Sequence, residues 1–383
     1  MNHSYDAVVI GAGIVGAACA YELAREGLRV AIVERDIVGG GATAAGMGHI
    51  VIMDDSPGQF ALTQYSQSLW NALSPSLPAG IEYDRCGTLW IADDEEEMTE
   101  VRRKHSAYAS ANVPTEVLDC QSLAEAEPNL RKPLAGALHV PSDALLDPVP
   151  AAAYLIGCAL QLGAELMLGK TVVSAAQGEI LLDDGTAISA AHIVHATGAG
   201  ATSLLPHLPI RKRKGHLAVT NHYPGFVRHQ VVELGYLKSA NSVDSDSVAF
   251  NVQPRRSGRL LIGSSRQYGA EDSAVDPGIL ERMLKRASEY MPALENLPIT
   301  RVWTGFRAAT PDKLPLIGPT EDPTVFLATG HEGLGITTSL ATARLIADSL
   351  LKHEPAISIE PYLPARFASE TDAACMHHAG GPS

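Results

Sequence analysis

The chain is short of the groups that staple small proteins or anchor them in membranes. Its five cysteines, Cys19, Cys86, Cys120, Cys158 and Cys375, are odd in number and scattered. That pattern argues against a disulfide framework and against a thiolate-held metal or iron–sulfur cluster. No apolar run approaches the roughly 18 residues of a membrane span. The N-terminus enters apolar sequence without a basic region or cleavage site, so a signal peptide is not expected and a cytoplasmic location is. Positive charge is in deficit: 29 Lys and Arg against 43 Asp and Glu leave a formal net charge of −14. This disfavours nucleic acid or an anionic membrane as the main partner. What is present is a globular balance, 46% hydrophobic and 19% charged over 383 residues, enough for a large core and two domains.

Residues 5–35 read YDAVVIGAGIVGAACAYELAREGLRVAIVER. An apolar run meets Gly11, Gly13 and Gly16, a small-residue helix follows, and a second apolar run ends in Glu34 and Arg35. This order predicts a βαβ unit opening on a nucleotide. Gly11 permits the turn, Gly13 lets the backbone approach a pyrophosphate, and Gly16 lets the helix lie on the strand. Phosphates belong at the helix N-terminus, where Ile14 and Val15 begin it. Glu34 suits ribose hydroxyls and would repel a 2′-phosphate. The loop 36–50, with GGGATAAGMGH, holds Thr43, Ala44, Gly48 and His49. Its small residues suit backbone lying against a ligand, with a flexible surface loop as the alternative.

Further along, periodicity predicts helices at 59–73, 93–111, 147–162, 277–290 and 337–351, and a short helix with linker at 118–133. A strand pair turned at Gly87 is expected over 81–92. Strands are expected at 136–141, 164–168, 171–177, 191–200, 215–220, densely over 230–267, at 302–307 and at 325–328, with a hairpin through Asp184 and Gly185. The run 191–200 returns the chain to a parallel sheet, which makes the nucleotide domain discontinuous. The basic cluster RKRK at 211–214 reads most simply as a solvated edge, and less simply as a phosphate or partner contact. The tail 368–383 reads as mobile, and its His377 and His378 make a poor metal site; no metal is expected.

These residues resemble the flavin-dependent glycine oxidase and D-amino-acid oxidase family. The likeness rests on the N-terminal fingerprint, the GGGAT loop, HATGAG at 195–200, QPRRSGRLLIGSS at 253–265, WTGFRAATPDKLPLIGP at 303–319 and ATGHEGLGITTSLATARLIAD at 328–348. It implies FAD bound in extended form in an α/β, Rossmann-like, discontinuous domain (1–80, 145–215 and 308–367), roofed by a second domain on an antiparallel sheet (81–144 and 216–307). Beyond the fingerprint residues it implies FAD contacts from Val173, Thr197, Gly198, Gly330, Gly333, Leu334, Gly335, Ile336 and Thr337. The amides at 333–337 would face the flavin N1–C2=O edge, where negative charge gathers on reduction. Arg307, in W-x-G-F-R, would hold the substrate carboxylate in a bidentate fork. His331 and Glu332 would lie beside the ring, Glu332 alternatively capping the helix.

The chain departs from glycine oxidase in its pocket walls. Asn251 stands where that enzyme has tyrosine, Arg266 where it has methionine, and Gly333 where it has arginine. The string GHEGLGITTSL more closely resembles bacterial D-hydroxyproline dehydrogenases, whose ring hydroxyl would give Asn251, Arg266 or Glu332 a partner. The expectation is hydride transfer from Cα of an amino or imino acid to noncovalent FAD, with His49 the residue to watch for a covalent link. The leaning is to D-hydroxyproline or D-proline dehydrogenation, the alternatives a glycine, sarcosine or general D-amino-acid oxidase, a tRNA-modifying flavoenzyme, or a noncatalytic flavin subunit of a larger complex. Oxygen, a quinone or a partner subunit would accept the electrons; oligomeric state is left open.

Overall fold

A computed structural model describes residues 4–235 and 246–367; the expected tail at 368–383, with Cys375, His377 and His378, lies outside them. The first layer is an eight-stranded sheet. Its main path runs Leu316–Pro319, Val325–Thr329, Ala187–His195, Tyr5–Ile10, Val30–Glu34, Glu165–Leu168, and the antiparallel strands Glu179–Leu182 and Val172–Ala176 hang from Ala187–His195. The inner strands Tyr5–Ile10, Val30–Glu34 and Ala187–His195 pair in parallel, and their near-continuous Val, Ile and Ala runs follow from burial on both faces.

The helix Ile14–Arg25 lies against this sheet because its inward positions are small: Ala17, Ala18, Ala20 and Ala24 are all buried. Gly16 is the tightest point, where a Cβ would stand 1.9 Å from the Gly11 carbonyl oxygen. Helices Pro148–Gln161 and Gly335–Leu351 flank it and share its core.

The second layer is a nine-stranded sheet. Its order is His331–Glu332, Ile299–Ala309, Arg211–His222, Arg259–Arg266, Ser247–Pro254, Gln230–Glu233, Thr88–Ala92, Gly136–Val140, Glu116–Asp119. Pairing is antiparallel except between Gln230–Glu233 and Thr88–Ala92. The helix Pro277–Tyr290 packs Ile279, Met283, Ala287 and Tyr290 into this layer's core, with Tyr290 stacked on Phe250 at 4.5 Å.

Three expectations are corrected. Residues 81–92 hold one strand, Thr88–Ala92, while Ala79–Ile81 is a 3-10 turn and Asp84 bridges to Leu145; Gly87, at φ +74°, redirects the chain instead of closing a hairpin. The short helix expected at the start of 118–133 is Cys120–Ala126, and the two residues before it belong to a strand, Glu116–Asp119. The RKRK cluster is not a solvated edge: Arg211–His222 is interior to its sheet, with Arg211 and Lys212 exposed but Arg213 and Lys214 buried. The expected domain break at 215–216 falls inside this strand.

Capping is uneven in an informative way. Helices Pro57–Leu73, Glu95–Ser110, Pro148–Gln161 and Pro277–Tyr290 are capped by the side chains of Ser56, Asp94, Asp147 and Asp276. Among the described helices of eight residues or more, the two without such a cap are Ile14–Arg25 and Gly335–Leu351.

Two outcomes are expected. Gly16→Ala forces apart the helix and the Gly11 turn, so it should destabilise the fold by roughly 1–3 kcal/mol and lower bound flavin, read as Tm and flavin content. Buried Asp143, which accepts from Ile52 N at 3.2 Å and Gln67 Nε2 at 2.9 Å, has its carboxyl pushed by burial from 3.8 to about 7, against the hydrogen bonds of Thr88, Ile52 and Gln67. The folded state therefore binds the proton more tightly than the unfolded chain. Its contribution is full below about pH 4 and is lost as pH rises through about 7; Asp143→Asn should flatten that fall in a Tm series from acid to alkaline pH.

Candidate active site

A continuous cavity of about 750 Å³ runs from the end of the parallel sheet to the inner face of the nine-stranded sheet. Its nucleotide end is built from the first βαβ unit. Gly11, at φ +99°, leaves room that a Cβ would fill, 2.8 Å from the Ala196 carbonyl oxygen. Thr43 Oγ1 accepts from Ile14 N at 3.0 Å, drawing the small-residue loop over the helix N-terminus. The Glu34 carboxylate is fixed by two backbone donors, Ala12 N at 2.7 Å and Asp36 N at 2.8 Å. Gly13, Val15 and Arg35 also line this end.

The second uncapped helix opens on the same cavity, with Gly330, Gly333, Leu334, Gly335 and Ile336 on the lining and Gly335 close to Val15, where a Cβ would stand 3.8 Å from Val15 Cγ2. Thr337 lies behind it and donates from Oγ1 to the His49 carbonyl at 2.9 Å, tying this helix to the early loop. Gly48, at φ +84°, packs where a Cβ would stand 1.9 Å from the Leu146 carbonyl oxygen. His49 lines the cavity with Nε2 unpartnered among the described residues. Burial, with the charges of Arg307 and Arg255, pulls its imidazole down to about 4, against the neighbouring Gln253 side chain, which favours the protonated ring. Thr197 and Gly198 form the turn beneath; Thr197 Oγ1 bonds His195 Nδ1 at 3.0 Å.

Some expected contacts fall elsewhere. Ala44 and Gly16 are not on the lining, Gly16 serving the helix–strand contact instead. Val173 is 51% exposed, and strand alternation gives the lining position to Val172. The His331 ring turns toward the helix, where Nε2 bonds Thr342 Oγ1 at 2.9 Å.

The roof gathers charge. Arg213 and Arg307 are directly opposite in register, and Glu332 is opposite Ala308. Like charges so placed repel, and Glu332 is their counter-ion: Arg213 Nη1 donates to its Oε1 at 2.7 Å, and Gly333 N to Oε2 at 2.5 Å. Burial raises the Glu332 carboxyl, but the charges of Arg307, Arg266 and Arg213 and the Gly333 amide outweigh it and hold the group below its ordinary range. Arg307 Nη1 donates to the Ser265 carbonyl at 2.9 Å. Its guanidinium lies over Gly215, where a Cβ would come within 2.6 Å. The Arg307, Arg266 and Arg213 guanidinium groups thus all act on one carboxylate inside a chain of net charge −14.

Sequence reasoning missed Arg213, Gly215, Gln230 and Trp90, all on this lining. A signal for the first two existed: Arg213 and Gly215 are alternate residues of one strand and share its face.

Two bare helix ends on one cavity, an acid fixed between backbone amides at the ribose position and a cationic roof fit FAD and define a flavin-dependent oxidoreductase. A family model described as FAD dependent oxidoreductase matches residues 6–349, and the chain belongs to that family. It is 30% identical over 374 residues to glycine oxidase of Geobacillus kaustophilus (strain HTA426), covering 94% of this chain and 97% of that protein. Against glycine oxidase of Pseudomonas aeruginosa it is 29% identical over 385 residues, covering 94% and 98%. The crystal structure of the Geobacillus kaustophilus enzyme superposes with a TM-score of 0.85 at 28% identity, covering 95% of this chain and 99% of that one. The L-proline dehydrogenase of P. horikoshii shares the fold, with a TM-score of 0.85 at 24% identity over 97% and 99% of the two chains. Among the described residues no helix is long and apolar enough to cross a membrane, and no cluster of His, Cys, Asp or Glu is arranged to hold a metal.

Glu34→Ala removes the carboxylate that Ala12 N and Asp36 N hold and that is expected to meet the ribose hydroxyls. FAD affinity should fall roughly ten- to a hundredfold, as expected for lost hydrogen bonds to a charged group, measured by titrating apoprotein with FAD.

Proposed function

We propose that the chain oxidises an amino or imino acid at Cα, the substrate's carboxylate held by Arg307. The observation that carries this reading is the roof constellation: Arg307, steadied by the Ser265 carbonyl and set beside the Arg213–Glu332 ion pair, turned into the cavity. FAD, when bound, accepts the hydride from Cα.

The chain's own part is binding and exclusion. A carboxylate fixed in the Arg307 fork aims Cα. His49 and His331 are held neutral by burial, down to about 4 and about 3, too acidic to take an ammonium proton. Glu332 is engaged with Arg213. The substrate therefore enters as its neutral amine and no general base acts on it. We read the FAD as noncovalent, since Cys19, Cys86, Cys120 and Cys158 are absent from the lining among the described residues, and His49, which is on it, is the residue through which a covalent link would run. The two sheets serve as a cofactor domain and a substrate domain.

For the substrate, our reading leans to D-hydroxyproline or D-proline, supported by the GHEGLGITTSL string and by Asn251, a lining residue whose buried amide oxygen has no partner among the described residues. A glycine, sarcosine or D-amino-acid oxidase fits about as well, given the glycine oxidase relatives.

Anaerobic bleaching of the bound flavin by cis-4-hydroxy-D-proline, D-proline, glycine, sarcosine and D-alanine tests this. One of these should bleach it rapidly, and Arg307→Ala should slow that reaction by about a hundredfold or more, the scale of a lost bidentate charge-assisted pair. A flavin indifferent to the whole panel, or an unimpaired variant, would overturn the reading. Repetition in air separates an oxidase from a dehydrogenase.

A further inference from the structure

The inner face of the nine-stranded sheet is divided by charge. At one end stand Glu332, Arg307, Arg213 and Arg266. Beyond them Trp90, Val232, Asn251 and Gly263 form a single row across four strands, Val232 opposite both Trp90 and Asn251, and Asn251 opposite Gly263. Gln230, two residues from Val232, shares its face. Trp90, Val232, Asn251 and Gln230 all line the cavity, and none is charged.

Three polar atoms in this neutral half are buried without a protein partner among the described residues: the amide oxygens of Asn251 and Gln230 and the Trp90 indole N–H. Their residues are 8%, 3% and 4% exposed. Buried polar groups are nearly always hydrogen-bonded, so two acceptors and one donor left over on residues that line one cavity call for a ligand. A hydroxyl, which donates once and accepts, matches this set. A charged side chain does not, since it would be desolvated with no counter-ion. Gly263 adds no side chain to the row, and Lys104 Nζ, 5.8 Å from the Trp90 ring centroid and paired with Asp54, steadies the indole.

We propose that Gln230, Asn251 and Trp90 form the substrate's side-chain subsite and select an uncharged, hydroxyl-bearing group. This rests on the reading above: a carboxylate on Arg307 occupies the charged half, so the rest of the molecule extends along the neutral row. Arg266 and Glu332 then belong to the charged half, and the hydroxyl falls to residues that sequence reasoning, apart from Asn251, passed over.

The test uses the holoenzyme with two readouts. One is the rate of anaerobic flavin reduction by cis-4-hydroxy-D-proline and by D-proline. The other is equilibrium binding, followed by perturbation of the flavin spectrum, of tetrahydrofuran-2-carboxylate and its 4-hydroxy derivative, which lack the oxidisable amine. Wild type should prefer the hydroxylated member of each pair by about tenfold or more. In Gln230→Leu and in Trp90→Phe the ratio should collapse toward one, in both the reduction rates and the analogue affinities; Trp90→Phe retains the aromatic ring and decides the matter if Gln230→Leu misfolds. An undiminished ratio in the variants, or no preference in wild type, overturns the subsite. Failure of the underlying reading looks different: no panel member bleaches the flavin, and Arg307→Ala leaves analogue binding unchanged.

Discussion

Among the described helices of eight residues or more, two begin without a side-chain cap from the N-cap residue, and the fold is arranged so that both ends open on the same cavity. An uncapped N-terminus leaves up to four N–H groups without partners and a partial positive charge of about half an electron. Exposed to water, such an end is unremarkable; buried, it demands an anion or a polar edge. Ile14–Arg25 presents this end beside Gly11 and Gly13, and Gly335–Leu351 presents it beside Gly333. The other long helices carry ordinary Ser or Asp caps. The absence of caps is therefore selective, and it falls where the pyrophosphate and the flavin of FAD would each need a donor.

The roof solves a different electrostatic problem. Placing Arg213 opposite Arg307 in adjacent strands is unfavourable unless an anion lies between them. Glu332 supplies one, at the cost of a left-handed backbone at φ +51° that a non-glycine residue rarely adopts. One carboxylate does not balance both Arg213 and Arg307, which leaves the site receptive to a substrate carboxylate. Such local strain and charge imbalance is characteristic of a site built for a ligand and not for the fold's own stability.

Glycine is used here as space. Gly16 brings the first helix onto the turn, Gly48 lets the early loop touch the Leu146 carbonyl, and Gly215 leaves a hollow that the Arg307 guanidinium fills. The buried Asp143 braces that same loop through Ile52 N and Gln67, so the cavity wall is held by a carboxyl that burial keeps partly protonated near neutral pH.

The sequence by itself determined the elements whose signals are local. The spacing of Gly11, Gly13 and Gly16 before a small-residue helix, the acid ending the second strand and the amphipathic period of Pro277–Tyr290 were legible, because each depends on neighbours a few residues away, whereas the arginine of W-x-G-F-R was singled out only by the family resemblance. The tertiary structure alone decided what depends on register. RKRK looks like a solvated edge until Arg211–His222 is found between Ile299–Ala309 and Arg259–Arg266, which buries Arg213 and sets it against Arg307 and Glu332. Likewise Trp90, Val232 and Asn251 come from distant stretches and become a row only when their strands pair. Long-range strand pairing leaves no local periodic signature, and that is why the cofactor site was readable along the chain while the walls of the substrate pocket were not.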